Sequence, residues 1–417
     1  MPETEGPPPL LWPFPALAPV KEVLEWRTDV LPAQAGEQRI ALRTGPRSEL
    51  TLRHRASAWS VARAGEIARA GYAGPWLVPL WHMAAPVGGL ASGATEIAVD
   101  TTVADYRAGG HAALMDATNT RDGEAALLEI ATVEADRITL TAPLPVGYTH
   151  AALAPVRAAV LTDGPQFSRT RASLAVIEAS FTMVEAPDIA ASALPQYQGR
   201  DVLTDPSVAR RPVASTIARA VEMVDNDLGP IAVEPARDIT ARGETITLVD
   251  HGLAASWARR QWLFSLAGRL RSFWLPTWGR ELVLQSGVGA FDTDMRVIPL
   301  ADLMAYAGRH VAVETGSGLV FREITGAAQD GADHRLTLSA SLGTSVPPSA
   351  HIHWMPLVRL DTDRVEITHT GTAMESRFNV IEITDSGGAT GSGDSGGSTD
   401  SGNGGGNPGG GLVEVEG

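Results

Sequence analysis

Cysteine is absent from the 417-residue chain. Disulfides, thiolate zinc sites and cysteine nucleophiles are therefore excluded. Aromatic residues are scarce at 6%, yet 10 of them are Trp, so the places where Trp recurs carry information. Basic residues number 33 against 48 acidic ones. The resulting net charge of −15 argues against DNA, RNA or an anionic membrane surface as an electrostatic partner. No window approaches 18 uninterrupted apolar residues, so no membrane-spanning helix and no membrane insertion are expected. The opening Met1-Pro2-Glu3-Thr4-Glu5 has no basic region followed by an apolar stretch and does not read as a signal peptide. At 44% hydrophobic and 19% charged residues, the composition is that of a globular chain long enough for two or three cores.

What the chain does have is self-similarity. Pro79-Leu80-Trp81 recurs as Pro276-Thr277-Trp278, about 197 residues downstream, and Trp59 recurs as Trp257. Gly109-Gly110-His111 matches Gly308-Arg309-His310, and Arg137-Ile138-Thr139-Leu140 matches Arg335-Leu336-Thr337-Leu338. Pro155-Val156-Arg157 returns with one insertion as Pro356-Leu357-Val358-Arg359, and Phe181 to Glu185 returns as Phe378 to Glu382. Leu50-Thr51-Leu52 pairs with Ile246-Thr247-Leu248. These matches keep one order and nearly one offset, which predicts two copies of a unit of roughly 190 residues.

Each copy reads as a mainly β unit. Extended segments come first (20–30 and 39–55 in the first copy), with the apolar/polar alternation of half-buried strands. A helix is expected over 56–70 and again over 254–270, where Leu253, Trp257, Phe264 and Ala267 share a stripe, Arg260 interrupts it and Trp262 points elsewhere. Next come the apolar runs that hold Trp76, Pro79 and Trp81, or Trp274, Pro276 and Trp278. A Pro inside such a run removes a ladder N–H, so an edge strand or an extended covering segment is expected. With Trp59 and Trp257, these Trp and Pro residues are the structural and interface candidates, and core packing outweighs an exposed docking role. If Trp278 is buried, its replacement by Ala is expected to cost about 3–5 kcal/mol. Short strands punctuated by Gly109 and Gly123 follow at the spacing of a small β-barrel.

The reading is a duplicated β-sandwich with a flanking helix and an inserted small barrel in each copy. The first unit covers 1–190 with its insert at about 94–158; the second covers 191–385 with its insert at about 292–360. Residues 386–417 are a Gly/Ser-rich tail that cannot bury a core and is expected to be flexible. Its last residues, Leu412-Val413-Glu414-Val415-Glu416, alternate in a way that would let them add a strand to another chain's sheet.

Several strings imitate catalytic or metal sites. Gly393-Asp394-Ser395-Gly396-Gly397 resembles the surroundings of a serine-protease nucleophile, but it lies in the Gly/Ser tract without a scaffold for a His and an Asp. His351-Ile352-His353 puts two imidazoles on one strand face, with no third ligand visible in sequence. Asp361-Thr362-Asp363 and Asp292-Thr293-Asp294 lack the calcium-loop pattern, and no Gly-rich phosphate loop opens a helix. No enzyme activity, cofactor or metal is expected.

The opening phrases Trp12-Pro13-Phe14-Pro15, Glu25-Trp26-Arg27-Thr28-Asp29-Val30 and Glu37-Gln38-Arg39-Ile40-Ala41-Leu42-Arg43 resemble tail proteins of long-tailed bacteriophages. So do Gly199-Arg200-Asp201-Val202-Leu203 and the stretch from Arg271 through Trp278 to Leu282. The likeness covers 10–385 and is to minor tail proteins of the tail tip or baseplate, relatives of distal tail proteins. It implies a tail-tube-like β-sandwich that forms a ring around the tail axis and contacts tube, hub and fibre proteins. The implied location is the virion tail tip, after assembly in the bacterial host cytoplasm. Two units per chain favour three copies in a pseudo-sixfold ring over six. The competing reading is a duplicated carbohydrate-binding or fibre-anchoring module used in host recognition.

Overall fold

The computed structural model describes residues 10–33, 36–70, 75–116, 125–171, 174–185, 191–205, 215–224 and 232–383. The Gly/Ser-rich tail, with its protease-like string and its terminal alternation, lies outside them. In the first half the strands are β1 (Leu10–Leu11), β2 (Leu17–Glu25), β3 (Thr28–Ala33), β4 (Gly36–Ala41) and β5 (Arg47–Ala56), followed by helix α1 (Ala58–Ala70). Then come β6 (Trp76–Pro79), β7 (Ala85–Leu90), β8 (Glu96–Ala98), β9 (His111–Asp116), β10 (Ala126–Glu134) and β11 (Arg137–Leu140). β12 (Tyr148–Leu161), β13 (Gln166–Arg171) and β14 (Leu174–Met183) end this half.

A short hairpin, β15 (Gln196–Tyr197) and β16 (Arg200–Asp201), leads into β17 (Ser215–Val224), β18 (Ala232–His251) and helix α2 (Gly252–Leu266). The second half continues with β19 (Ser272–Trp274), β20 (Asp294–Val297), β21 (His310–Thr315), β22 (Gly318–Asp330), β23 (Asp333–Leu338) and β24 (Ile352–Trp354). It closes with β25 (Leu357–Leu360), β26 (Arg364–Thr370) and β27 (Ala373–Glu382). The fold is mainly β, and its two α helices among the described residues fall where periodicity places them.

The strand pairings run in parallel through the two halves. β14 pairs with β5 along one edge and divides its other edge between β13 and the end of β12. β27 does the same with β18, β26 and β25. Phe181 lies opposite Leu50 and Phe378 opposite Ile246. β6 takes Leu11 as a parallel neighbour at Leu77, and β19 takes Val202 in parallel at Trp274. β2 joins the halves, because it pairs with β5 on one edge and with β26 on the other. The order β18-β27-β26-β2-β5-β14-β13 is therefore one antiparallel sheet spanning both halves.

The two inserts differ from the expected barrels. In the second half they form an open five-stranded sheet in the order β20-β23-β22-β21-β24. Leu282 and Leu284 touch its two outer strands through one isolated bridge each, to Ile352 and Val297. In the first half the strip β7-β12-β9-β10-β11-β8 likewise has no ladder between its ends. Closure needs a continuous ladder, and β8 and β20 offer only three and four residues for one. For the first Pro run the edge-strand alternative is corrected. β6 has a neighbour on each side, and Pro79 is its last residue; Pro276 lies beyond β19.

Alternation sets the cores. Leu50 and Leu52 of β5, with Ile177 and Phe181 of β14, point into the first-half cluster around Trp12, Phe14 and Trp76. Ile246, Leu248, Phe378 and Val380 do the same in the second half, against Trp262, Leu263 and Phe264 of α2. The expected stripe of α2 is thus displaced: Trp262 is core, and Arg259 and Arg260 are buried. The second insert has a core of its own around Tyr306, Ile324 and Leu336.

Candidate functional site

Polar groups take several inward strand positions where the alternation calls for apolar ones. On β2 the inward residues are Val20, Glu22 and Leu24; on β26 they are Val365, Ile367 and His369. Glu22 faces His369 across the junction of the halves, with Oε2 3.0 Å from His369 Nε2. Its other oxygen accepts from Arg260 of α2, through Nε at 3.1 Å and also through Nη2. His82, in the 3-10 turn Trp81–Met83, brings Nε2 to 3.9 Å from Glu22 Oε2 and stacks its ring on that of His369 at 4.2 Å. All four side chains are at least nine-tenths buried.

Burial works against a charged Glu22, but Arg260 and the hydrogen bond with His369 prevail and hold the carboxyl well below its usual range. Burial lowers the His82 pKa well below the ordinary imidazole value. Neither ring nitrogen of His82 has a hydrogen-bond partner. A cavity of about 30 Å³ adjoins the group and is lined by Glu22, His82 and Arg260 as well as Asp105, Arg107 and Arg157. In that second ionic group Arg157 Nε donates to Asp105 Oδ2 at 2.9 Å, and Arg107 donates to both carboxylate oxygens at 2.9 Å.

Two further ties cross the junction. Arg359 of β25 meets Glu37 of β4 in a two-point contact, with Nη2 3.0 Å from Oε2. Asp363 accepts the Thr28 amide at 2.7 Å and the Arg269 amide at 2.9 Å. The turn there is tight. Gly268 has φ +66°, and a Cβ on it would meet Asp363 Oδ1 at 2.5 Å and Trp26 Cβ at 2.9 Å. Asp363 is thus a junction residue.

The Trp and Pro candidates are distributed unevenly. Trp76 and Trp274 are fully buried, and Trp274 Nε1 donates to the Tyr197 carbonyl at 3.0 Å. Trp81 and Trp278 are half-buried. Trp278 has φ +57°, and its ring lies 5.3 Å from that of His353. Trp59 is 49% exposed on α1, whereas Trp257, its counterpart, packs from α2 onto the first-half core beneath Arg260. Equivalent positions in the two halves therefore have different surroundings.

The His351-Ile352-His353 string does find a third group, Glu314 on β21. Its Oε2 is 2.9 Å from His351 Nδ1 and its Oε1 3.0 Å from His353 Nε2. The Arg280 amide donates to His353 Nδ1 at 3.1 Å, so Nε2 carries the proton given to Glu314. Each imidazole engages a different oxygen, and the three donor atoms do not converge. Among the described residues, the ligand-type group whose donor atoms do converge is Glu22, His82 and His369, all within 4.8 Å of one another. Sequence reasoning missed it because no spacing links positions 22, 82 and 369. The available signal was a charged residue between Val20 and Leu24 on an apolar register.

No helix of the described residues is long and apolar enough to cross a membrane. No family model matches the chain, and no curated protein matches it.

Proposed function

We propose that the chain is a structural component of a bacteriophage tail tip or baseplate, a duplicated tail-tube-like unit that builds a ring joining the tail tube to tip or fibre proteins. The observation that carries the ring is the junction inside the chain. There the second half offers β26 to the first half's β2, in register from Val20 with His369 to Glu25 with Arg364. This contact is head-to-tail, and such contacts propagate into rings or filaments. The counterpart of β26 in the first half is β13, whose outer edge carries no strand among the described residues. Repetition of the same contact between copies extends the sheet, and two units per chain favour three copies around a pseudo-sixfold axis. The large Trp rings serve packing in this reading. Of those the repeat singles out, Trp59 is the one exposed as a glycan platform would require.

Immunogold electron microscopy of intact phage particles, with antibody against this chain, tests the proposal. Gold at the tail end distal to the capsid is the expected result. Gold along fibres, or a chain absent from particles by immunoblot, overturns it.

A further inference from the structure

We propose that Glu22, His82 and His369 form a binding site for a first-row divalent cation, zinc by the chemistry of its donors, which fastens β2 of the first half to β26 of the second. The inference stands apart from the tail-tip reading, since it uses only the junction inside one chain.

Two imidazoles and a carboxylate are a donor set that zinc takes, with a water as fourth ligand. Bonds of about 2.0–2.1 Å in tetrahedral geometry place neighbouring donors roughly 3.3–3.4 Å apart. The separations from Glu22 Oε2 are 3.0 Å to His369 Nε2 and 3.9 Å to His82 Nε2, on either side of that value. His82 is the ligand that must move, and no hydrogen bond holds its ring. The adjoining cavity of about 30 Å³ has room for the water.

A neutral imidazole buried with both nitrogens unpaired is costly, because each polar atom has lost its water without replacement. A cation on Nε2 removes that cost at one of the two nitrogens. Arg260 occupies the other oxygen of Glu22 and orients the carboxylate, as an outer partner does around a metal. It is also the group that opposes a cation, and the nearby Asp105, Arg107, Arg157 and Glu185 sum to no net charge. The site accordingly depends on the carboxylate and both imidazoles together.

The test uses the full chain without an affinity tag, stripped with a chelator and titrated with Co²⁺. The expected result is one cation per chain, with the visible absorption of four-coordinate Co²⁺, displaced by Zn²⁺. His82→Ala abolishes that absorption, while His351→Ala, in the other histidine pair, retains it. X-ray absorption of the Zn²⁺-loaded wild-type chain gives a readout independent of variant folding, with two imidazoles expected in a four-coordinate shell. The proposal is overturned by a six-oxygen shell, by no Co²⁺ absorption, or by loss of the signal in His351→Ala instead of His82→Ala.

Discussion

Lowering the pH from 7 to 4 is expected to weaken the fold through His54, by an amount that its hydrogen bonds make calculable. His54 is 1% exposed on β5, and its two ring nitrogens have partners with fixed roles. Trp12 Nε1 has only a proton to give, and it donates to His54 Nε2 at 2.8 Å. The Pro15 carbonyl can only accept, so the proton sits on Nδ1, 2.8 Å away. A second proton on Nε2 would confront the indole N–H directly. Burial is the leading cause of the lowered pKa, which falls from 6.5 to about 4 against the contrary pull of Pro15.

The unfolded chain takes up this proton near pH 6.5 and the folded chain only near 4. The stability from neutral His54 is therefore complete above pH 6.5 and is lost as the pH falls toward 4. At about 1.4 kcal/mol per pH unit for one proton, the loss is about 3 kcal/mol. The assay is urea denaturation at several pH values for wild type and His54→Gln, whose amide supplies one acceptor and one donor without titrating. The difference between the two stability curves should slope by about 1.2 kcal/mol per pH unit between pH 4.5 and 6. Parallel curves would refute the reasoning, as would an NMR titration that places the imidazole pKa at 6 or above.

Other substitutions probe the junction and the cores. Arg260→Met leaves the buried Glu22 carboxylate without its cation and should cost about 3–5 kcal/mol, while Glu22→Met combined with Arg260→Met should cost less than the single change; urea midpoints of the three proteins check this. Trp76→Ala and Trp274→Ala should each cost about 3–5 kcal/mol, and Trp59→Ala under about 1 kcal/mol, by thermal unfolding. Gly268→Ala should destabilise by about 1–3 kcal/mol, because the residue has a positive φ and its new Cβ overlaps Asp363 and Trp26. Circular dichroism melts would show that loss, and an unchanged melt would mean that this turn yields freely.

Much of the architecture was legible in the primary structure, and the reason is periodicity. Leu50-Thr51-Leu52 and Ile246-Thr247-Leu248 announce strands facing a core, and in the structure they lie opposite Phe181 and Phe378. The helices were legible in position but not in orientation. Arg260 looked like an interruption of the α2 stripe, because a sequence does not show that a carboxylate 238 positions earlier awaits it. The inserts were read as barrels from strand spacing, and spacing says nothing of whether the first and last strands meet. Trp59 and Trp257 looked equivalent, but only Trp257 lies where the other half covers it. The Glu22, His82 and His369 group was invisible for the same reason: it exists only once β2 lies against β26.

The pairing of β2 with β26 also bears on how the polypeptide is made. Glu22 and His369 are separated by 347 positions. At roughly 5–20 residues per second of synthesis, the second strand leaves the ribosome roughly 17–70 s after the first. Throughout that interval one margin of the nascent amino-terminal portion lacks its neighbour. Exposed margins of this kind recruit stray strands. Production of the protein should therefore respond to translation speed and to holdase chaperones, and a fragment cut between the halves should aggregate.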